Sequence, residues 1–86
     1  MHWIYIVECS DGTYYTGYTR NVEKRIKEHN ESKKGAKYTR CRRPVVLRYA
    51  ESFESRQAAC RREYEIKQLS RVKKEELIKR KLKFIW

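Results

Sequence analysis

Five polar side chains in this sequence have the types that phosphodiester hydrolysis requires, although they lie far apart along the chain. That reaction needs a base for the attacking water, cations at the phosphate, and usually a carboxylate that binds a divalent metal. The candidates are Tyr5, Tyr15, Arg25, His29 and Glu63. Because these residue types are common, the set gains meaning only if the elements around them bring them together.

The first positioning element is Trp3–Thr19, which is predicted to form an aromatic β-hairpin. A two-residue loop ending at Gly12 would put Tyr5 and Tyr15 on opposite faces of the sheet. A three-residue loop, with Gly12 as the left-handed residue, would put them on one face, with Gly17 opposite Tyr5. We favour the three-residue loop, because only this register lets the tyrosines share a site.

The second positioning element is a helix over about Val22–His29, with Asn21 as its N-cap. Projected at about 100° per residue, Arg25 and His29 fall on the same side as Ile26 and so border the buried stripe. An arginine in this place needs a partner, because an unpaired buried charge is costly. The alternative is that its stem lies along the core while its head reaches water.

The remaining elements are a third strand at Val45–Ala50 and two further helices. The helices extend from a Ser55 cap to about Leu69, with Glu63 at the rim of the buried stripe, and over about Val72–Arg80, with Ser70 as the cap. The resulting order is ββαβαα, which predicts an α+β fold with a three-stranded antiparallel sheet flanked by helices, in a single domain spanning 1–86. The apolar tail Phe84–Trp86 is expected to dock on this domain.

Charge narrows the range of partners. Lys and Arg number 22 against 11 Asp and Glu, so the net charge is +11, which favours polyanions and above all nucleic acid. No apolar run approaches the length of about 20 residues that a membrane span needs, and the N-terminus does not resemble a signal peptide. We therefore expect a cytoplasmic protein that does not bind membranes.

The basic residues concentrate in a loop between the first helix and the third strand. Apolar periodicity is absent from Ser32–Pro44, and Gly35 and Ala36 permit close backbone approach there. Basic side chains interleaved with an aromatic residue suit a phosphate backbone with an exposed base. The predicted nucleic-acid-binding residues are Lys33, Lys34, Lys37, Tyr38, Arg40, Arg42 and Arg43.

Several segments together resemble the GIY-YIG endonucleases, in particular a small single-domain bacterial and archaeal branch. Trp3-Ile4-Tyr5 stands where GIY falls and Tyr15-Thr16-Gly17 where YIG falls. The segments EKRIKEHN and AACRREYEIK are similar to the family's first helix and to its helix with the metal-binding glutamate. The segment GAKYTRCRRPV, together with EIKQLSRVKK, narrows the match to that branch. Trp3 and Thr16 depart from the signatures, but neither position supplies a catalytic group.

The resemblance implies a metal-dependent nuclease. Glu63 would hold one divalent cation, Mg²⁺ or Mn²⁺. Tyr5 would act as the base or orient the water, and Arg25 would favour the tyrosine anion and neutralise the phosphate. Tyr15, His29 and Tyr38 would orient the water, contact phosphate or pack, and Gly17 would keep the site open opposite Tyr5.

Two other functions are consistent with the same residues. A nucleic-acid-binding module that does not cleave would use the Lys33–Arg43 loop and make no use of Glu63. An adaptor would recruit a partner through Phe84–Trp86. If the chain cleaves nucleic acid, the expected substrate is DNA, in repair or processing. The residues themselves do not distinguish DNA from RNA. Many family members carry a separate DNA-targeting domain, and nothing here resembles one, so targeting is expected from the basic surface or from a partner protein.

Overall fold

The protein is built on a three-stranded antiparallel sheet in the order β2-β1-β3. The computed structural model describes the backbone of residues 1–31 and 34–85 and the side chains of residues 1–31 and 34–80. The elements are β1 (His2–Glu8), β2 (Tyr14–Thr19), α1 (Val22–Glu31), α2 (Lys37–Arg40), β3 (Val46–Phe53), α3 (Arg56–Lys67) and α4 (Arg71–Ile85). The predicted α+β fold is confirmed, with the short helix α2 as an addition inside the basic loop.

The β1–β2 hairpin has the register that allows a shared site. Gly12 has a φ of 84°, the left-handed conformation expected of it in a three-residue loop. Tyr5 pairs with Gly17, and Tyr15 lies two positions along β2 from that glycine. Because alternate residues of a strand point to the same face, both tyrosines lie on one face of the sheet.

Each face of the sheet has its own core. On one face, Ile4 and Ile6 pack against α3 and α4, through residues that include Ala59, Ile66 and Ile78. On the other, Tyr5 and Val7 form a second core together with Cys9, Val45 and the partly buried Tyr15, Ile26 and Leu47. The sheet therefore separates an α3/α4 layer from an α1/α2 layer, and the tyrosines belong to the latter.

A bulge in β3 directs Tyr49 to the core on the α3/α4 side and Leu47 to the core on the α1/α2 side. The register with β1 shifts between Ile6 and Val7, so that Tyr49 lies opposite Ile6 and Leu47 opposite Val7. The extra residue, Arg48, is an exposed partner of Glu8 at 2.9 Å. Without this bulge, Leu47 and Tyr49 would point to the same face.

The predicted helix caps are confirmed. The side-chain oxygens of Asn21, Ser55 and Ser70 each accept a backbone N–H three residues further on. The predicted bounds were too short for β3, which continues to Phe53, and for α1 and α4. Among the described helices none combines the length and apolar character that crossing a membrane would require. The prediction for Phe84–Trp86 concerns side chains outside the described residues.

Candidate active site

The shortest contact between predicted site residues joins Tyr5 and His29. The Tyr5 hydroxyl lies 2.7 Å from Nε2 of His29, and both side chains are fully buried. The Tyr5 side chain leans over its strand partner Gly17. A Cβ built on that glycine would lie only 2.4 Å from the Tyr5 hydroxyl oxygen. Gly17 therefore provides, by lacking a side chain, the space that the phenol occupies.

The other ring nitrogen of His29 is also held, by a residue that was not among the predicted site residues. Nδ1 of His29 lies 2.7 Å from Oγ1 of Thr39, which is fully buried. The Thr39 hydroxyl donates in turn to the carbonyl of Ala36 at 3.0 Å. Tyr5, His29 and Thr39 thus form one continuous buried chain of hydrogen bonds that links β1, α1 and α2.

Burial sets the protonation of this chain at neutral pH. It raises the pKa of Tyr5 to about 12, although hydrogen bonding and positive charge from Arg25 act in the opposite direction. It lowers the pKa of His29 to about 4, and the charge of Arg25 adds to that effect. Arg25 thus favours the tyrosine anion, as predicted, but desolvation outweighs its effect, so the net change in the Tyr5 pKa is upward.

Arg25 lies beside the Tyr5 hydroxyl and has the partner that its half-buried position requires. Its Nη1 donates to a Glu28 carboxylate oxygen at 3.1 Å and to the Lys34 carbonyl at 2.9 Å. Its guanidinium also lowers the pKa of Tyr5. Arg25 is therefore a partnered arginine, and its role at the phosphate stays a prediction.

Glu63 belongs to the other layer of the protein. It lies on α3, which packs on the Ile4/Ile6 face of the sheet, whereas Arg25 and His29 lie on α1. Its charge raises the pKa of Tyr5, but less than burial does. Its carboxylate is 20 % exposed and pairs with Lys67 one turn further along the helix at 3.0 Å.

A stack of rings adjoins the Tyr5–His29 pair. The Tyr15 ring lies 5.5 Å from that of His29 and 6.5 Å from that of Tyr5, and the Tyr38 ring stacks on Tyr15 at 5.9 Å. The guanidinium of Arg42 lies 4.1 Å above the Tyr38 ring, within cation–π range. The Tyr38 ring is therefore already in contact with Tyr15 and Arg42, and Tyr38 is 38 % exposed.

The basic segment folds onto the site and does not extend away from it as an arm. Arg42 binds Asp11 in the hairpin loop at 3.0 Å, and Arg43 donates to the carbonyl of His29. Lys37 and Arg40 are exposed on α2, and Lys34 is exposed beside Arg25. Lys33 lies outside the described residues. The nucleic-acid role of these residues stays a prediction.

Gly35 explains how this segment can lie so close to α1. A Cβ on Gly35 would lie 2.9 Å from the Glu28 carbonyl oxygen and 3.0 Å from the His29 Cα, both backbone atoms. The sequence indicated a close backbone approach here, and the surface approached is the protein's own first helix.

The two departures from the signatures lie away from the reacting groups. Trp3 lines a surface groove beside α1, together with Val22 and Leu47. Thr16 is buried on the α3 side of the sheet, and its hydroxyl has no hydrogen-bond partner among the described residues. Neither side chain contributes to the Tyr5–His29–Thr39 chain.

The donor set at Glu63 limits the kind of metal that fits. Within residues 1–31 and 34–80, no group of three or more His, Cys, Asp or Glu side chains is positioned to hold a metal ion. A lone carboxylate does not meet the four-ligand demand of structural zinc. It does suit Mg²⁺ or Mn²⁺, which retain several waters and bind through one or two carboxylates together with substrate phosphate.

Comparison with known proteins finds relatives over most of the chain. Residues 1–76 match the GIY-YIG catalytic domain family. The chain is 64 % identical over 77 residues to a UPF0213 protein of Halobacterium salinarum, covering 90 % of this chain and 99 % of that protein. A UPF0213 protein of Staphylococcus haemolyticus is 60 % identical over 77 residues, covering 90 % and 93 %.

Two solved structures are similar as well. The solution structure of a UPF0213 protein from Bacillus halodurans matches with a TM-score of 0.59 at 55 % identity, covering 91 % of this chain and 82 % of that one. The solution structure of a protein from E. faecalis matches with a TM-score of 0.62 at 45 % identity, with the same coverage.

Proposed function

The chain belongs to the GIY-YIG family, a nuclease superfamily, and on that basis we propose that it is a divalent-metal-dependent endonuclease that hydrolyses phosphodiester bonds in nucleic acid, with DNA as the first substrate to test. The observation that carries the proposal is the buried 2.7 Å contact between the Tyr5 hydroxyl and Nε2 of His29. The charges of Arg25 and Glu63 both influence the pKa of that hydroxyl, in opposite directions, which supports a role for this cation and this carboxylate near one candidate base.

The pKa values define how Tyr5 would serve as that base. A phenol with a pKa of about 12 is protonated at neutral pH, whereas a histidine with a pKa of about 4 is neutral and able to accept a proton. As the water oxygen attacks phosphorus, Tyr5 takes the water's proton and passes its own proton to Nε2 of His29. The bond from phosphorus to the leaving oxygen breaks, and that oxygen takes a proton from solvent.

Arg25 and Glu63 supply the remaining functions. The Arg25 guanidinium offsets the negative charge that develops on the phosphate oxygens during attack. Glu63 would hold the divalent cation, which when bound provides further positive charge at the phosphate. Because Lys67 pairs with the same carboxylate, loading of the cation competes with this ion pair.

Plasmid nicking in the presence of Mg²⁺ or Mn²⁺ tests the proposal. Tyr5→Phe should lose at least about a hundredfold in rate, which is the usual contribution of a positioned acid–base group. Glu63→Gln should lose at least as much, because it removes the carboxylate that would hold the cation. Glu65→Gln is the matched control, because it makes the same change on the same helix at a more exposed glutamate. Circular dichroism would verify that each variant folds.

Nicking by Glu63→Gln at the rate of the Glu65→Gln control would overturn the proposal. A protein that binds DNA with steep salt dependence and yields no metal-dependent product would instead be the binding module that the basic loop suggests.

A further inference from the structure

The partners of His29 indicate the direction of its hydrogen bonds. Oγ1 of Thr39 lies 3.0 Å from the Ala36 carbonyl oxygen, which can only accept, and 2.7 Å from Nδ1 of His29. When the single hydroxyl proton of Thr39 goes to that carbonyl, Oγ1 is left to accept from Nδ1–H of His29. In a neutral imidazole the other nitrogen, Nε2, then carries a lone pair.

The opposite end of the chain favours the same direction. Arg25 is near enough to Tyr5 to lower that residue's pKa, and a guanidinium has no acceptor atom, so the phenol cannot donate its proton to it. The Tyr5 proton is thus available to Nε2 of His29 at 2.7 Å. A histidine with its proton on Nε2 would instead place two donors, Arg25 and the imidazole, against the Tyr5 oxygen.

We propose that Thr39 is a positioning residue, whose hydroxyl holds His29 in the Nδ1–H tautomer so that the Nε2 lone pair faces Tyr5. The catalytic part of this inference rests on the proposed function, whereas the tautomer itself does not. In the other tautomer Nε2 would present a hydrogen, and no proton could pass from Tyr5 to His29. Fixing the second nitrogen of a functional histidine in this way is a general means of setting its tautomer.

The segment around Thr39 has the features that such a role needs. Gly35 brings the chain within contact of the backbone at His29, and α2 then turns Thr39 inward while Lys37 and Arg40 face solvent. Arg43, which follows α2 in the chain, donates to the carbonyl of His29. The basic segment therefore has an inner surface that orients the imidazole, separate from its exposed charges.

The test compares Thr39→Val, which keeps the shape but removes the hydroxyl, with Thr39→Ser, which keeps the hydroxyl and removes a methyl group. The ¹⁵N chemical shifts of the His29 ring report which nitrogen carries the proton. We expect the Nδ1–H form in the wild type and in the serine variant, and loss of that preference in the valine variant. Nicking should fall by roughly ten- to a hundredfold in the valine variant, mainly in kcat, with recovery to within about threefold in the serine variant.

The two readouts separate failure of this inference from failure of the proposed function. An Nε2–H tautomer in the wild type would overturn the inference whether or not the protein cleaves, and this measurement needs no variant to fold. Equal loss of nicking in the serine and valine variants would also overturn it, because packing of the methyl group would then be responsible. Absence of cleavage in the wild type with an Nδ1–H histidine would overturn only the nuclease function.

Discussion

At the scale of single residues, His29 links the site to the stability of the whole fold. Its pKa falls from 6.5 to about 4 on folding, chiefly through burial, so the unfolded chain binds the proton first as the pH drops. The contribution of neutral His29 is therefore fully present above about pH 6.5 and is lost as the pH falls toward 4. The total loss is on the order of 3 kcal/mol. Urea unfolding between pH 4 and 7 measures it.

The carboxylates also affect stability at the acidic end of this range, so the comparison must be between variants. In His29→Gln the fall in unfolding free energy between pH 6.5 and 5 should be much smaller than in the wild type. His2→Gln is the control, because this second histidine is only partly buried, and its variant should retain most of the fall. If the unfolding free energies of the wild type and of His29→Gln depended on pH in the same way, the fall could not be assigned to His29.

The two buried threonines should respond in opposite ways to the same substitution. Thr16→Val removes a hydroxyl that is buried without a partner among the described residues, so we expect stabilisation by about 1 kcal/mol. Thr39→Val removes a hydroxyl that joins His29 to the Ala36 carbonyl, so we expect destabilisation by about 1–3 kcal/mol. Denaturant midpoints of both variants give the answer, and a gain in both would show that the Thr39 bonds add nothing.

The residue types of the site could be read from the sequence, but their electrostatic environment could not. Helical spacing indicated that Arg25 and His29 border the core, and the structure agrees. Whether desolvation or the Arg25 charge controls Tyr5 depends on how deeply the phenol is buried, and that depth is decided by α1 and α2 together. Thr39 gave no signal, because one threonine between basic residues has no periodic pattern around it.

At the scale of elements, the close approach of the basic segment to α1 depends on Gly35. In Gly35→Ala the new Cβ would lie 2.9 Å from the Glu28 carbonyl oxygen, a backbone atom that cannot move cheaply. We expect a loss of about 1–3 kcal/mol in unfolding free energy, the usual cost of overpacking, together with changed ring resonances for His29. Lys37→Ala, at an exposed position of the same segment, is the control and should leave both quantities nearly unchanged.

Elements with strong local signals were predicted well, and those fixed by tertiary contacts were not. The hairpin register was predicted correctly because only one of the two loops that Gly12 could close puts Tyr5 and Tyr15 on one face. The helix caps followed from Asn21, Ser55 and Ser70. Helix α2 was not predicted, because its four residues lack an apolar stripe and are held against α1 by Thr39 and against the hairpin by Tyr38. The bulge at Arg48 could not be predicted from the sequence, because it depends on which side chains of β3 belong to each core.

At the scale of the whole molecule, the sheet divides the positive charge between two layers. Arg25 and the exposed cations of α2 lie in one layer, whereas α4 presents its cations from the other. Glu63 belongs to the α3 layer, so a substrate that uses both Glu63 and the Tyr5 hydroxyl has to reach both layers. A net charge of +11 attracts polyanions to the molecule in general, but it does not by itself select the layer.

Two matched double variants can identify the layer that contacts the phosphates. Neutralising Lys37 and Arg40 on α2, or Lys79 and Arg80 on α4, changes the net charge from +11 to +9 in both cases, since 11 − 2 = 9. All four side chains are exposed. If the α2 layer binds nucleic acid, the slope of log affinity against log salt should fall by about 1.8 for the α2 pair, from about 0.9 per lost phosphate contact.

For the α4 pair the slope should change little, because those charges act only at long range and are screened within about 10 Å at 0.1 M salt. Equal effects of the two pairs would mean that binding senses only the total charge, and the α2 segment would then have no privileged contact. A larger effect of the α4 pair would place the substrate on the far side of the sheet from the Tyr5–His29 contact. That outcome would leave the hydrogen-bonded chain intact but without a phosphate beside it, and it would count against cleavage at that site.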